Sequence, residues 1–195
     1  LFTLDNRGTG YRGVAFDAPI HRRLGVVEVF DQLRGVEHLR TLSFVDVKRI
    51  GVYGWSYGGY MALMCMFKAP DVFAAGVSGA PVTDWALYDT HYTERYMGTP
   101  QDNADGYEAA SVFPYATRLK GPLLIMHGMA DDNVLFTNST KLFKTLQDGG
   151  LDFDTMTYPG GKHALLRVPA TGKHGYRKIL RFFDTHLGAS APSPR

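Results

Sequence analysis

Gly51-Val52-Tyr53-Gly54-Trp55-Ser56-Tyr57-Gly58-Gly59-Tyr60-Met61 is the stretch around which the chain is organised. It contains Gly54-x-Ser56-x-Gly58. The strand-like run Lys48-Arg49-Ile50-Gly51-Val52-Tyr53 leads into it, and the apolar run Met61-Ala62-Leu63-Met64-Cys65-Met66-Phe67 leads away. Strand, sharp turn and helix in that order are the setting of a nucleophile elbow. A serine that attacks a carbonyl must be thrust out of a tight turn, and the turn crowds the backbone around it. Glycines two positions to either side remove the Cβ atoms expected to collide there. The following helix points free N–H groups at the place where an oxyanion would form. In the competing reading, Ser56 merely caps a helix after a glycine turn. Partners for Ser56 decide between the two.

Size and composition set the bounds. The chain of 195 residues is long enough for one domain with a substantial core. Its 45% hydrophobic and 21% charged residues are an ordinary globular balance. A formal net charge of +2 without a dense Lys/Arg cluster leaves no footprint for nucleic acid. No apolar run approaches the ~18 residues of a membrane span. The single cysteine, Cys65, excludes an internal disulfide and reads as buried filler in the helix after Ser56. The chain opens on Leu1-Phe2-Thr3-Leu4-Asp5 without Met or a signal peptide, so a longer polypeptide continuing upstream is expected.

Periodicity orders the rest. Leu1 to Asp5 reads as a strand entering the glycine loop Asn6 to Gly13. Between Arg22 and Leu39, Val26, Val27, Phe30, Leu33 and Val36 recur at helical spacing, with Glu28, Asp31 and Arg34 on other faces. The helix after Ser56 is apolar nearly all round, hence buried, and stops before Pro70. Phe73 to Gly79 reads as a strand, and Ala80 to Met97 as an unusually aromatic connection. Gln101 to Thr117 reads as loop and short helix. Pro122 to Gly128 is a continuous apolar run of the kind found inside parallel sheets. Asn138 to Leu146 is an amphipathic helix closed by Gly149-Gly150, and Phe153 to Tyr158 a strand. A final helix from Gly175 to Leu187 presents Tyr176, Ile179, Leu180, Phe183 and Leu187 on one face. Strands alternating with helices predict an α/β fold, a mostly parallel sheet with helices on both faces and its first strands missing. The domain is placed at 1–187 and a disordered tail at 188–195.

In an elbow fold the acid and then the base follow the serine along the chain. Of the seven histidines, His163, His174 and His186 lie beyond the acid candidates. His186 falls in the last helical turn, where histidine serves the helix dipole. His163 sits in the glycine loop directly after the last strand and is the preferred base, with His174 the runner-up. For the acid, the strand ending at Gly128 delivers Asp131 and Asp132 to the carboxyl edge of the sheet. One could orient the imidazole while the other caps the next turn, and spacing alone does not separate them. The backbone N–H of Tyr57 is the expected oxyanion donor.

Gly54-Trp55-Ser56-Tyr57-Gly58-Gly59-Tyr60, Tyr92-Thr93-Glu94-Arg95-Tyr96-Met97-Gly98 and His127-Gly128 with Asp131-Asp132-Asn133-Val134 resemble the catalytic domain of the dipeptidyl peptidase IV family. This is the prolyl oligopeptidase clan of serine peptidases, built on the α/β-hydrolase fold. Asp5 to Gly10 and Gly25-x-x-Glu28-Val29-x-Asp31-Gln32 fit the same family, so the resemblance covers most of the chain. It implies Ser56 as nucleophile, Asp131 as acid and His163 as base. It also implies Tyr57, Val82, Trp85, Tyr88, Tyr92 and Val134 as walls of a proline-sized slot. Asn133 would hold the substrate carbonyl, and Arg95 would organise the acidic pair that anchors the substrate amino terminus.

The implied activity is release of N-terminal dipeptides with Pro or Ala second, with peptide as partner and no cofactor or metal. A β-propeller of the same polypeptide, a homodimer through the hydrolase domain and an exported location complete the implication. Lys162 and Ala164 depart from the acidic residue and glycine that flank the family's histidine. The propeller's glutamate pair and a further oxyanion donor, a tyrosine hydroxyl, would precede Leu1, so the isolated chain is expected to be weakly active or inactive. Two other readings stand beside this one. An acylaminoacyl peptidase or oligopeptidase would share the fold and accept blocked or internal residues. A non-catalytic interaction domain would keep the fold without the reaction.

Overall fold

The computed structural model describes residues 1–188; the tail expected at 188–195 lies, from residue 189 onward, outside them. Four strands, β1 (Gly51–Trp55), β2 (Ala75–Gly79), β3 (Leu123–Gly128) and β4 (Asp154–Tyr158), form one sheet in that spatial order. All three pairings are parallel. β2 and β3 are buried along their whole length, which is why β3 reads as an apolar run and β2 as a strand of small residues, neither with alternation.

The strand order determines where the helices lie. Right-handed crossovers that always step the same way place their helices on one face of a sheet. That face carries α3 (Tyr57–Lys68), the connection from Ala80 to Lys120 with α4 (Thr90–Met97) and α5 (Ala104–Ala110), and α6 (Thr137–Asp148). α2 (Val27–Arg40) packs on α3 from outside, preceded by the single turn α1 (Val14–Asp17). The other face is covered by α7 (Pro169–Leu187), which follows the last strand. Among the described residues two apolar cores result. The larger joins α2, α3, α6 and the aromatic connection; the smaller joins Ala75, Val77, Leu124, Met126, Ile179 and Phe182. α3 contributes Leu63, Met64, Met66 and Phe67, all fully buried, each stabilising by about 1.5–3 kcal/mol relative to exposure.

Most element types agree with the periodicity, but one expected strand is absent, the aromatic connection contains the helix α4, and several boundaries and faces differ. Leu1 to Asp5 forms no strand, and β1 begins at Gly51 rather than Lys48. β2 begins at Ala75 instead of Phe73. α2 starts at Val27; its inward side carries Val27, Glu28, Val29 and Val36, while Val26 and Phe30 are exposed. Val27, Leu33 and Val36 face the core as expected, and Glu28 joins them because its carboxylate accepts from the Gly25 N–H (3.0 Å) and the Tyr57 hydroxyl. α7 begins at Pro169, well before the expected start at Gly175, since Pro suits the first helical position. It buries Gly172, Gly175, Ile179 and Phe182, leaving Tyr176 and Leu180 exposed. Here two glycines carry the contact: a Cβ on Gly172 would stand 2.3 Å from the Leu166 carbonyl oxygen.

Candidate active site

Ser56 sits between β1 and α3 with φ 61° and ψ −119°, a backbone conformation that non-glycine residues rarely adopt and that costs on the order of 1–3 kcal/mol. The turn is held by its neighbours. Ser56 N–H donates to Gly79 O at 2.8 Å, and Tyr60 N–H to Ser56 O at 3.0 Å. A Cβ on Gly54 would lie 2.1 Å from Gly58 O, so the close approach on that side requires glycine. On the other side the expectation shifts by one residue. A Cβ on Gly58 would meet nothing within 4 Å, whereas one on Gly59 would lie 2.3 Å from Gly79 O, at the end of β2. Gly54→Ala and Gly59→Ala are therefore expected to destabilise the fold by about 3 kcal/mol or more, because backbone has to move. Gly58→Ala, inside a helix, should stabilise it by up to about 1 kcal/mol. Chemical denaturation of the three variants checks this; equal stabilities would refute the steric assignment.

The ends of β3 and β4 bring the other groups to the elbow. Met129 N–H donates to Tyr158 O (2.9 Å) and Ala130 N–H to Gly161 O (3.0 Å), tying the loop after β3 to the loop after β4. Trp55, the last residue of β1, donates its indole N–H to His163 O at 3.0 Å. Thus fastened, His163 places Nε2 2.8 Å from Ser56 Oγ and Nδ1 2.8 Å from Asp131 Oδ2. His174 stands apart at the start of α7, its Nδ1 3.1 Å from the Tyr158 hydroxyl.

The two aspartates have different surroundings. Asp131 is buried, and its Oδ1 accepts from the N–H groups of Asn133 and Val134, both at 3.0 Å. One residue both meets the imidazole and caps the turn, duties that spacing had divided between two. Asp132 is exposed and pairs with Lys162 at 2.7 Å. Burial pushes the Asp131 carboxyl up, but hydrogen bonds from His127, His163 and the Asn133 N–H outweigh burial and hold it well below the usual carboxylate range. The pair His163–Asp131 is thus built for an ionised acid with Nδ1–H pointing at it, leaving Nε2 to accept from the Ser56 hydroxyl. The Tyr57 N–H opens α3 and has no hydrogen-bond partner among the described residues, so it is free to donate beside Ser56.

Next to the elbow lies an aromatic cluster. Trp85, fully buried, stacks on Tyr92 (centroids 5.9 Å apart, planes at 13°) and meets Tyr88 and Tyr57 at 6.0 and 5.6 Å. Val82 and Val134, both buried, belong to the same apolar cluster. The Tyr88 hydroxyl donates to Asn133 Oδ1 at 2.6 Å, linking the aromatic cluster to the acid loop. Burial, with Tyr96 next, pushes the Tyr92 hydroxyl up to about 12, so it stays neutral at physiological pH. Arg95 is not gathered into this group. It stands exposed on α4 near His91 (3.5 Å) and makes no ion pair among the described residues.

Three contributors to the site escaped the sequence reading. Glu28 lies three residues after Gly25, the spacing at which a carboxylate reaches back to the entry of a helix. His127 interrupts the apolar run of β3, and a lone polar residue in a buried strand is itself a signal. Trp55 carried no signal, since its role depends on a loop 108 residues away.

The model of the prolyl oligopeptidase family matches residues 1–190. The chain belongs to the prolyl oligopeptidase family. Among its relatives, dipeptidyl peptidase 4 of Sus scrofa is 45% identical over 183 residues, covering 92% of this chain and 24% of that protein. Dipeptidyl peptidase 8 of Homo sapiens is 39% identical over 193 residues, 97% of this chain and 21% of that one. The crystal structure of Porphyromonas gingivalis dipeptidyl peptidase 4 superposes with a TM-score of 0.90 at 40% identity, over 94% of this chain and 26% of that chain. The fold is accordingly that of an α/β hydrolase, and the chain spans about a quarter of the length of the relatives it matches. Among the described residues no helix is long and apolar enough to cross a membrane.

Proposed function

We propose that this chain carries the catalytic centre of a serine dipeptidyl peptidase, with Ser56 as nucleophile, His163 as general base and Asp131 as the acid that orients it. The hydrogen-bonded series Ser56–His163–Asp131 at a strained elbow, beside an aromatic slot, carries this reading. Ser56 Oγ attacks the carbonyl carbon of the scissile peptide while His163 Nε2 takes the hydroxyl proton. The developing oxyanion receives the Tyr57 N–H. His163 then returns the proton to the leaving amine, which leaves an acyl-enzyme on Ser56. Water, deprotonated by the same imidazole, releases the acid and restores the serine. Throughout, the ionised Asp131 keeps Nδ1 protonated and stabilises the transient imidazolium.

The slot gives the second half of the reading. Flat rings of Tyr57, Trp85, Tyr88 and Tyr92 with Val82 and Val134 suit a small, apolar residue such as Pro or Ala at the position before the cut. In this reading Asn133, exposed at the rim and fixed by Tyr88, donates its amide to the preceding substrate carbonyl, and Arg95 serves the amine-anchoring pair. The relatives named dipeptidyl peptidases favour removal of two residues. The propeller and homodimer implied by the resemblance belong to the same proposal.

The test is hydrolysis of Gly-Pro-p-nitroanilide against its N-acetylated counterpart by the full-length polypeptide. Cleavage confined to the free amine is expected. Preference for the blocked substrate would move the assignment to an acylaminoacyl peptidase or oligopeptidase, and cleavage of neither would sink it.

A further inference from the structure

Behind the triad acid lies a second histidine that the mechanism above does not use. His127, the penultimate residue of β3, has no solvent exposure, and neither has the Asp131 side chain. Its Nε2 is 2.9 Å from the Val134 carbonyl oxygen and 3.2 Å from Asp131 Oδ2. Both neighbours only accept, so the proton sits on Nε2. The opposite nitrogen, Nδ1, therefore accepts from the Ser139 hydroxyl, 2.7 Å away at the start of α6. The edge of the Phe136 ring closes the pocket, with ring centroids 5.5 Å apart and planes at 88°.

Asp131 is thus held from four directions. Two backbone N–H groups reach Oδ1, and two imidazoles, His163 and His127, reach Oδ2. The oxygen that orients the base is the one His127 touches. Through Val134 O the same N–H also ties the acid to a residue of the aromatic slot. We propose that His127, its ring fixed by Ser139, is a positioning residue: it holds Asp131 Oδ2 in line with His163 Nδ1 and couples the acid to the substrate slot. This inference rests on the triad reading.

The groups facing Asp131 are His127, His163, the Tyr88 hydroxyl and the exposed Asp132–Lys162 pair. Among these, His127 is the fully buried one, its N–H shared between the Val134 carbonyl at 2.9 Å and Asp131 Oδ2 at 3.2 Å. Without its N–H the buried carboxylate loses a neighbouring donor, so its charge is less well balanced and stabilises a protonated imidazole at His163 more strongly, which moves the acidic limb of a rate profile to higher pH.

The experiment follows the rate of Ser56 labelling by a fluorophosphonate against pH in the full-length polypeptide, a readout independent of peptide specificity. His127→Gln carries an amide N–H to where Nε2 stands; His127→Asn reaches no further than Nδ1 and offers Asp131 nothing. The Gln variant is expected to label within about tenfold of the unsubstituted enzyme with its limb unmoved. The Asn variant should label about 10–10²-fold more slowly, with the limb displaced upward by about one to two pH units. Equal behaviour of the two variants, or slower labelling by the Asn variant with an unmoved limb, would overturn the inference. If neither variant shows a cooperative thermal transition, Ser139→Ala replaces them: slower labelling with an upward limb supports the inference, an unmoved limb overturns it. No labelling of the unsubstituted enzyme would overturn the triad reading, and this inference with it.

Discussion

Ser56→Ala and His163→Ala are each expected to lower kcat on Gly-Pro-p-nitroanilide by about 10⁶-fold, and the double variant by no more than either alone. The geometry explains the equality. Ser56 Oγ and His163 Nε2 share one hydrogen at 2.8 Å, so removing either end of that bond removes the whole proton-transfer step. Once the serine is gone, the histidine has no proton to take. What survives is the Tyr57 N–H and the slot, which bind and polarise the carbonyl without attacking it. Turnover of the three variants, referred to the concentration of folded protein and compared with the unsubstituted enzyme, checks the prediction. Losses that multiply in the double variant would show that the two side chains act independently, and the triad reading would fail.

Asp131→Asn should lower kcat about 10⁴-fold, whereas Asp132→Asn should change it less than about threefold. The amide introduced by Asp131→Asn would turn an N–H toward His163 Nδ1 and force the imidazole into the tautomer that cannot accept from Ser56. The fold should survive, because the oxygen facing Asn133 and Val134 can stay where it is. Asp132 has no such station: its partner is the exposed Lys162, and water replaces that bond readily. The pH dependence of stability gives an independent check. The folded carboxyl of Asp131 is depressed below its unfolded value, so its stabilising contribution is present above about pH 4 and is lost as pH falls toward the depressed value. Asp131→Asn should therefore flatten the stability curve on the acid side. Equal kinetic losses in both variants would contradict the assignment of the acid.

How much of this was readable in advance differs from residue to residue. The elbow was legible because its demands are local: a strand run, glycines in a turn and an apolar helix all lie within Lys48 to Phe67. The steric detail was hidden. Gly59 carries the tight contact rather than Gly58, because the obstacle is Gly79 O on the neighbouring strand. His163 was legible as the histidine in the loop after the last strand. By spacing, Asp131 and Asp132 were equivalent, and only the resemblance preferred one. In the structure they differ completely, since the turn after β3 buries one and exposes the other.

The helix faces teach the same lesson. For α2 and α7 the apolar spacing predicted helices, yet Phe30, Tyr176 and Leu180 are exposed while Glu28, Gly172 and Gly175 point inward. Periodicity measures the average preference of a face. It does not register a single carboxylate drawn inward by Tyr57, nor a glycine that lets one backbone approach another. Most element types, their parallel α/β arrangement and the chemistry available at the sheet's carboxyl edge were written in the residue order, because they follow from short-range sterics and hydrophobic patterning; the strand expected at Leu1 to Asp5 and the helix α4 were not. Which aspartate meets His163, which glycines bear the turn, and that His127 stands behind the acid emerged with the packed chain alone. Those contacts join residues on separate loops and strands, and their distances are set by how the sheet and helices pack.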